Sequence, residues 1–359
     1  MAALLLLTLA GCADTVKGAP QAEAQVRDAA ASASAAATSA AKSAPKTGAA
    51  NAAPGQDSMA AAYTVMRKVD PCALHSLDAA AKVTGMQPDE IMPGISLGAC
   101  DLDLVPSPRE LPVWTLIARV GVTFDERRKK AAVEEQIGDI RFYKLAEPAG
   151  SGSSDRSCSY VMRLGEETGV ELQVRRGAAD PQPKTPCQVA TEYLAEVGRY
   201  WKQPAIRADK VTSPTLRVAD VDPCAGQDAL AAVLGAPVHS LFTDPFTCTT
   251  VPSTGGKSNV SAMVSAEVAV ETDPRGLLGG SMGTDYRAVT VNGKPGVAKE
   301  FVVNKKPTCS LTVIADEQVV LVADQAKPDA QKSFQVVKAR AQTCDVATKA
   351  AEILLSAMR

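Results

Sequence analysis

The sequence predicts an α+β protein of two similar domains, each an antiparallel sheet packed with helices and stapled by two disulfides. Three observations carry this. Of the nine cysteines, eight fall into two sets of four, with intervals that run short, long, short in each. The residues flanking them recur. Each set also encloses the same order of patterns: a helix start, alternating apolar segments, then a closing helix.

The recurrences are specific. Val69-Asp70-Pro71-Cys72 returns as Val221-Asp222-Pro223-Cys224. Ala118-Arg119-Val120-Gly121-Val122 returns as Ala266-Glu267-Val268-Ala269-Val270, each followed by an Asp-X-Arg: Asp125 with Arg127, and Asp273 with Arg275. Cys187-Gln188-Val189-Ala190-Thr191 returns as Cys344-Asp345-Val346-Ala347-Thr348. One domain is therefore present twice, over residues 63–205 and 217–359, with the boundary in the polar stretch near Gln203 to Leu216.

Within each copy the elements follow in order. Asp70-Pro71 reads as an N-cap followed by proline at the first helical position, where a missing N–H costs nothing. A short helix is expected from there to about Gly85. Val113–Thr123 and Ser261–Val270 alternate as strands do, and so do the segments opening at Cys158 and Cys309. From Cys187 onward, Val189, Tyr193, Val197, Tyr200 and Trp201 recur at helical spacing.

In each set the first and fourth cysteines open helices, and the second and third lie in or beside strands. That placement suggests Cys72 with Cys187, Cys100 with Cys158, Cys224 with Cys344, and Cys248 with Cys309. Four cysteines allow three pairings per domain, and the sequence leaves the other two open.

The N-terminus indicates the compartment. Ala2 to Ala10 is an apolar run too short to span a bilayer but suited to a signal peptide. It ends in Leu9-Ala10-Gly11-Cys12, which resembles the bacterial lipobox. That resemblance implies that residues 1–12 are a lipoprotein signal ending at Cys12, the lipidated residue. No Lys or Arg precedes Cys12, so a start upstream of Met1 is expected. Residues 13–62 are rich in Ala and Ser, with no large apolar cluster, and read as a flexible tether. An exported protein of this kind holds its cysteines as disulfides.

Lipobox, Asp-Pro-Cys and paired cysteines together resemble actinobacterial surface lipoproteins that carry a domain of unknown function with an Asp-Pro-Cys signature. Here the signature occurs twice. Family members often carry an aromatic residue two places after the second cysteine, where this chain has Leu102 and Thr250. The plan is also similar to the extracellular sensor domain of a mycobacterial serine/threonine kinase. The resemblance implies a place on the outer face of the cell membrane and supplies no activity.

Reactive constellations are sparse. His75 and His239 occupy non-equivalent positions in the repeats and read as surface or helix-flanking residues. The cysteine spacing lacks the paired short loops of a four-sulfur zinc site, so no metal or cofactor is expected. Gly255-Gly256-Lys257-Ser258 resembles the end of a phosphate-binding loop, but the motif needs glycine where Val251 stands. It reads as a hairpin loop. Arg127-Arg128-Lys129-Lys130 is followed by Glu134 and Glu135 and reads as a solvated helix face. Asp125 and Arg127, with Asp273 and Arg275, are the one charged pair present in both copies. They are candidates for equivalent ligand sites, against capping or ion pairing at a strand end.

A formal net charge of -2 gives no reason to expect nucleic acid. The expected function is a lipid-anchored, non-catalytic binding or sensing lipoprotein of the envelope. The membrane is met through the anchor, and the ligand is an envelope protein, a lipid or a wall glycan. An envelope hydrolase with an unrecognised site and a structural spacer are the alternatives.

Overall fold

The computed structural model describes residues 56–94, 96–107, 110–146, 156–177, 182–207, 216–254, 257–259, 262–278, 285–322 and 332–358. The lipobox, Cys12 and most of the expected tether lie outside them. The tether was expected to reach residue 62, yet helix α1 spans Gln56–Met66. Its later residues give the alanine-rich stretch an apolar partner, since Tyr63 and Met66 are buried in the first core.

The first repeat holds seven strands: β1 (Gln87–Pro93), β2 (Ala99–Val105), β3 (Trp114–Thr123), β4 (Val133–Ile137), β5 (Ile140–Lys144), β6 (Ser157–Arg163) and β7 (Thr168–Arg176). They form one antiparallel sheet in the order β1-β2-β3-β7-β6-β5-β4. The second repeat holds β8 (Val238–Asp244), β9 (Thr247–Thr254), β10 (Lys257–Ser258), β11 (Val264–Thr272), β12 (Tyr286–Val291), β13 (Lys294–Val303), β14 (Lys306–Val322) and β15 (Lys332–Ala341). Its order is β10-β9-β11-β15-β14-β13-β12, with β8 on β9 as β1 is on β2. Apart from the small β10, the topologies are the same, and so are the registers. Cys100, Ala118 and Leu172 lie opposite one another across β2, β3 and β7. Cys248, Ala266 and Ala339 do so across β9, β11 and β15.

Helices cover one face of each sheet. Asp70 Oδ1 accepts from Cys72 N at 3.0 Å, and Asp222 Oδ1 from Cys224 N at 3.0 Å. The expected helix from Asp70 to Gly85 is, however, two elements. Pro71–Leu74 is a 3-10 turn, and α2 (Leu77–Thr84) begins afresh behind its own cap, Ser76. The break falls at His75, whose ring turns inward. Gly85 (φ 70) ends α2, and Gly235 (φ 63) ends its counterpart, the helix Gln227–Leu234, both in the left-handed region that glycine adopts without strain. The closing helices, Pro186–Lys202 and Cys344–Ala357, are capped by Thr185 and Thr343. The first of these buries Val189, Tyr193, Val197 and Trp201 as the spacing predicts, each contributing about 1.5–3 kcal/mol.

The disulfides differ from the expected pairing. They are Cys72–Cys100, Cys158–Cys187, Cys224–Cys248 and Cys309–Cys344, with Cα–Cα distances of 5.0 to 5.3 Å. The sheet order explains the correction. Cys100 on β2 and Cys158 on β6 are separated by β3 and β7, a lateral gap of about 14 Å. A disulfide closes at most about 7 Å between Cα atoms. The same gap separates Cys248 on β9 from Cys309 on β14. Each bond instead pins a turn or helix start to the strand beneath it.

The repeats lie in one compact unit and dock reciprocally through the tips of their first hairpins. The β8–β9 tip places Pro245 on Gly121 of β3, and Arg67 Nη1 donates to Pro245 O at 3.1 Å. The β1–β2 tip places Ser96 in a bridge with Ala269 of β11, and Leu97 enters the second core. Gly121 and Ala269 are equivalent positions. Phe242 meets Tyr63 edge-on at 5.7 Å between ring centroids.

Candidate functional site

The recurring charged pair lies at equivalent strand ends but is used differently in each copy. Asp125 caps the helix Glu126–Ala131, accepting from Arg128 N at 2.7 Å. Arg127 is exposed on that helix, and Arg128 rather than Arg127 reaches back, donating through Nη1 to Thr123 O. In the second copy Asp273 caps a 3-10 turn, Pro274–Leu277, accepting from Arg275 N at 3.0 Å. Arg275 also grips both carboxylate oxygens, with Nε to Oδ1 at 2.8 Å and Nη2 to Oδ2 at 2.8 Å. Its hydrogen bonds hold the Asp273 carboxyl below the usual range, against a smaller opposing effect of burial. Both aspartates thus spend oxygens on capping, and the two arginines do not occupy matching places.

His75 is buried rather than on the surface. Its Nε2 is 3.1 Å from Cys100 O and its Nδ1 is 3.2 Å from Tyr193 Oη. Only a carbonyl faces Nε2, so Nε2 carries the proton and Nδ1 accepts from the tyrosine. Tyr193 Oη in turn accepts from Ser76 N at 3.0 Å. Burial pushes the His75 pKa down to about 4, partly offset by the bond to Cys100. The ring ties the 3-10 turn, β2 and the closing helix together beside the Cys72–Cys100 bond. His239 is half-buried on β8, with Nε2 3.4 Å from the Oγ of exposed Ser258 on β10. Lys257 and Ser258 pair with Thr254 and Ser253, as a hairpin would. Among the described residues, no group of three His, Cys, Asp or Glu side chains is placed to hold a metal ion.

A cleft of about 390 Å³ opens beside the Cys158–Cys187 bond. Sequence reasoning did not find it, because its lining comes from β4, the end of β5, the start of β6 and Cys187, which only the folded sheet brings together. β5 pairs with β6 at Tyr143↔Val161 and Lys144↔Tyr160, and Leu145 N extends the ladder toward the disulfide by donating to Ser159 O at 2.9 Å. Val133, Leu145 and Ala146 form apolar walls, and Glu135, Lys144 and Ser157 supply polar groups. Glu135 is oriented by Tyr160, whose Oη donates to Oε2 at 2.7 Å. Burial, with lesser help from Glu135, pushes the Tyr160 pKa up to about 12, so the phenol stays a donor. In the second repeat β13 remains paired with β14 from Gly296↔Val313 to Val303↔Lys306. Glu300 there stands opposite Cys309, with its Oε1 3.4 Å from Cys344 Sγ.

The fold and disulfides define the class: a duplicated α+β protein of an extracytoplasmic compartment, where such bonds persist. No helix among the described residues is long and apolar enough to cross a membrane. Compared with known protein families, with curated proteins and with solved structures, the chain matches none of them.

Proposed function

We propose that this protein is a lipid-anchored binding or sensing module of the cell envelope, tethered through Cys12 and without catalytic activity of its own. The cleft beside Cys158–Cys187 carries the binding half of this reading. Its volume is of the size small-ligand sites have, its walls are apolar, and its polar groups are few and convergent. One carboxylate and one ammonium group, Glu135 and Lys144, suit a small amphipathic ligand bearing charge of both signs. The lipobox and the resemblance to the Asp-Pro-Cys lipoproteins support the anchor.

The test is capture of crosslinked envelope proteins and lipids by three forms: native, Cys12→Ser and Lys144→Ala. A ligand held by native and Cys12→Ser protein but lost from Lys144→Ala places recognition in the cleft and makes the lipid a tether. A ligand retained by all three removes the cleft from the reading. Mass analysis of the native N-terminus without diacylglycerol on Cys12 removes the anchor.

A further inference from the structure

The reciprocal docking of the hairpin tips is matched in backbone but not in side chains. Gly98 O accepts from Val120 N at 2.7 Å, and Phe246 O accepts from Val268 N at 3.0 Å. Gly98 and Phe246 are therefore equivalent positions, each two residues before a cysteine of its own repeat. They also face each other. A Cβ on Gly98 would stand 3.0 Å from Val120 O of its own repeat and 3.2 Å from Phe246 Cε2, and Phe246 is 1% exposed. The same position is thus a knob in one repeat and a hole in the other.

The neighbouring contacts are sorted in the same sense. Pro245 rests on Gly121, where a Cβ would lie 2.1 Å from Pro245 Cγ. The equivalent of Gly121 is Ala269, which carries that Cβ. Arg67 is buried, donates to Pro245 O and lies 3.7 Å from Asp222 of the second repeat. Its own equivalent is Ala219. Two first repeats would set Gly98 against glycine and leave a void. Two second repeats would force two phenylalanines into the room of one and press Pro245 onto Ala269. Overpacking and voids both cost stability at a close-packed contact.

We propose that the face each repeat presents is a heterotypic docking surface, sorted by Gly98 against Phe246. The partner it fits is the other repeat and not its own kind. No described disulfide joins the two repeats, so this surface alone holds them once the connection is cut.

The test uses the full chain with a protease site placed within residues 208–215. After cleavage the fragments are expected to co-elute at the size of the uncut protein. When two cleaved preparations with different tags on their first repeats are mixed and exchanged, each tag should capture second repeats from the other preparation. It should never capture the other first repeat. Separation of the fragments at micromolar concentration, or capture of like by like, overturns the proposal. Phe246→Leu and Gly98→Ala should each weaken the cut complex by about tenfold or more, on the scale of central interface contacts. Combined, they should recover most of that loss. Simple addition of the two losses overturns the sorting role of this pair, and Phe246→Leu alone keeps the test open if Gly98→Ala does not fold.

Discussion

Arg119 and Glu171 face each other across β3 and β7, with Nη1 3.6 Å from Oε1. The equivalent residues of the second repeat, Glu267 and Lys338, face each other across β11 and β15 at 3.3 Å with the charges exchanged. A directly opposed cross-strand pair contributes about 0.2–1 kcal/mol when its charges are opposite and costs stability when they are alike. The pair can therefore reverse as a unit, whereas either member changed alone is unfavourable. The recurrence lies in the geometry of the pair, and its polarity is reversed as a whole.

Burial raises the Glu267 pKa, and Lys338 offsets this. Lys338→Met removes that offset, so the carboxylate is left half-buried beside Glu271. The variant should lose about 1–3 kcal/mol at neutral pH, the scale of an uncompensated buried polar group. The folded state then binds a proton that the unfolded state has released, so stability must fall as pH rises through this range. Urea titration at several pH values should show the deficit shrinking toward acid. A deficit independent of pH would mean that Lys338 acts by packing alone.

His75 makes the opposite prediction. Its folded pKa is near 4 and its unfolded value near 6.5. Between these the unfolded chain carries the extra proton, so stability rises with pH across the window and is complete above it. Acidification from about pH 6.5 to 4 should cost on the order of 3 kcal/mol through this one group. His75→Gln, which keeps a donor without the titration, should flatten that part of the profile. An unchanged slope in the variant would assign the acid sensitivity to other groups.

The two capping aspartates separate local stability from ligand binding. Asp125→Asn and Asp273→Asn should each cost at most about 1 kcal/mol, since asparagine still caps. The Asp273 change should be the larger, because it also loses the bidentate grip of Arg275. That ion pair is partly exposed, so the added loss is small. Thermal unfolding of both variants checks this. Equal shifts would mean that the Arg275 contact contributes nothing measurable.

Much of the fold was legible because it depends on period and repetition. The cysteine register, the recurring Asp-Pro-Cys and the helical spacing after Cys187 all survive as structure. What was not legible depends on lateral neighbours. Nothing in the chain order says that β7 inserts beside β3, and that insertion separates Cys100 from Cys158 and decides the disulfides. A non-reducing peptide map should return Cys72 joined to Cys100 and Cys158 joined to Cys187, and a map with Cys100 joined to Cys158 would contradict the sheet order. The cleft was hidden for a similar reason, since Glu135, Lys144 and Cys187 meet only through the order of strands in the sheet. His75 does flank the 3-10 turn, but its burial was not legible because it comes from Tyr193 and Cys100, both distant in sequence. The aspartates were legible as caps at strand ends, and their bonds to Arg128 N and Arg275 N show that role.

Two glycines at similar positive φ distinguish local strain from docking between the repeats. Gly85 has φ +70 and nothing within 4 Å of a Cβ, whereas Gly121 has φ +78 and Pro245 in that space. An alanine pays about 1–2 kcal/mol for the left-handed backbone at either position. At Gly85 that should be the whole effect. At Gly121 the new methyl must also displace Pro245, with the tip that carries Phe246 behind it, so the loss should be clearly larger. The two repeats share core residues through Leu97 and Phe242, and wild-type protein should therefore unfold in one transition. Gly121→Ala should split urea unfolding into two transitions, with the disulfides of both repeats intact, while Gly85→Ala should keep one at a lower midpoint. If Gly121→Ala merely lowers the midpoint by as much as Gly85→Ala, the Pro245 contact is not what couples the repeats.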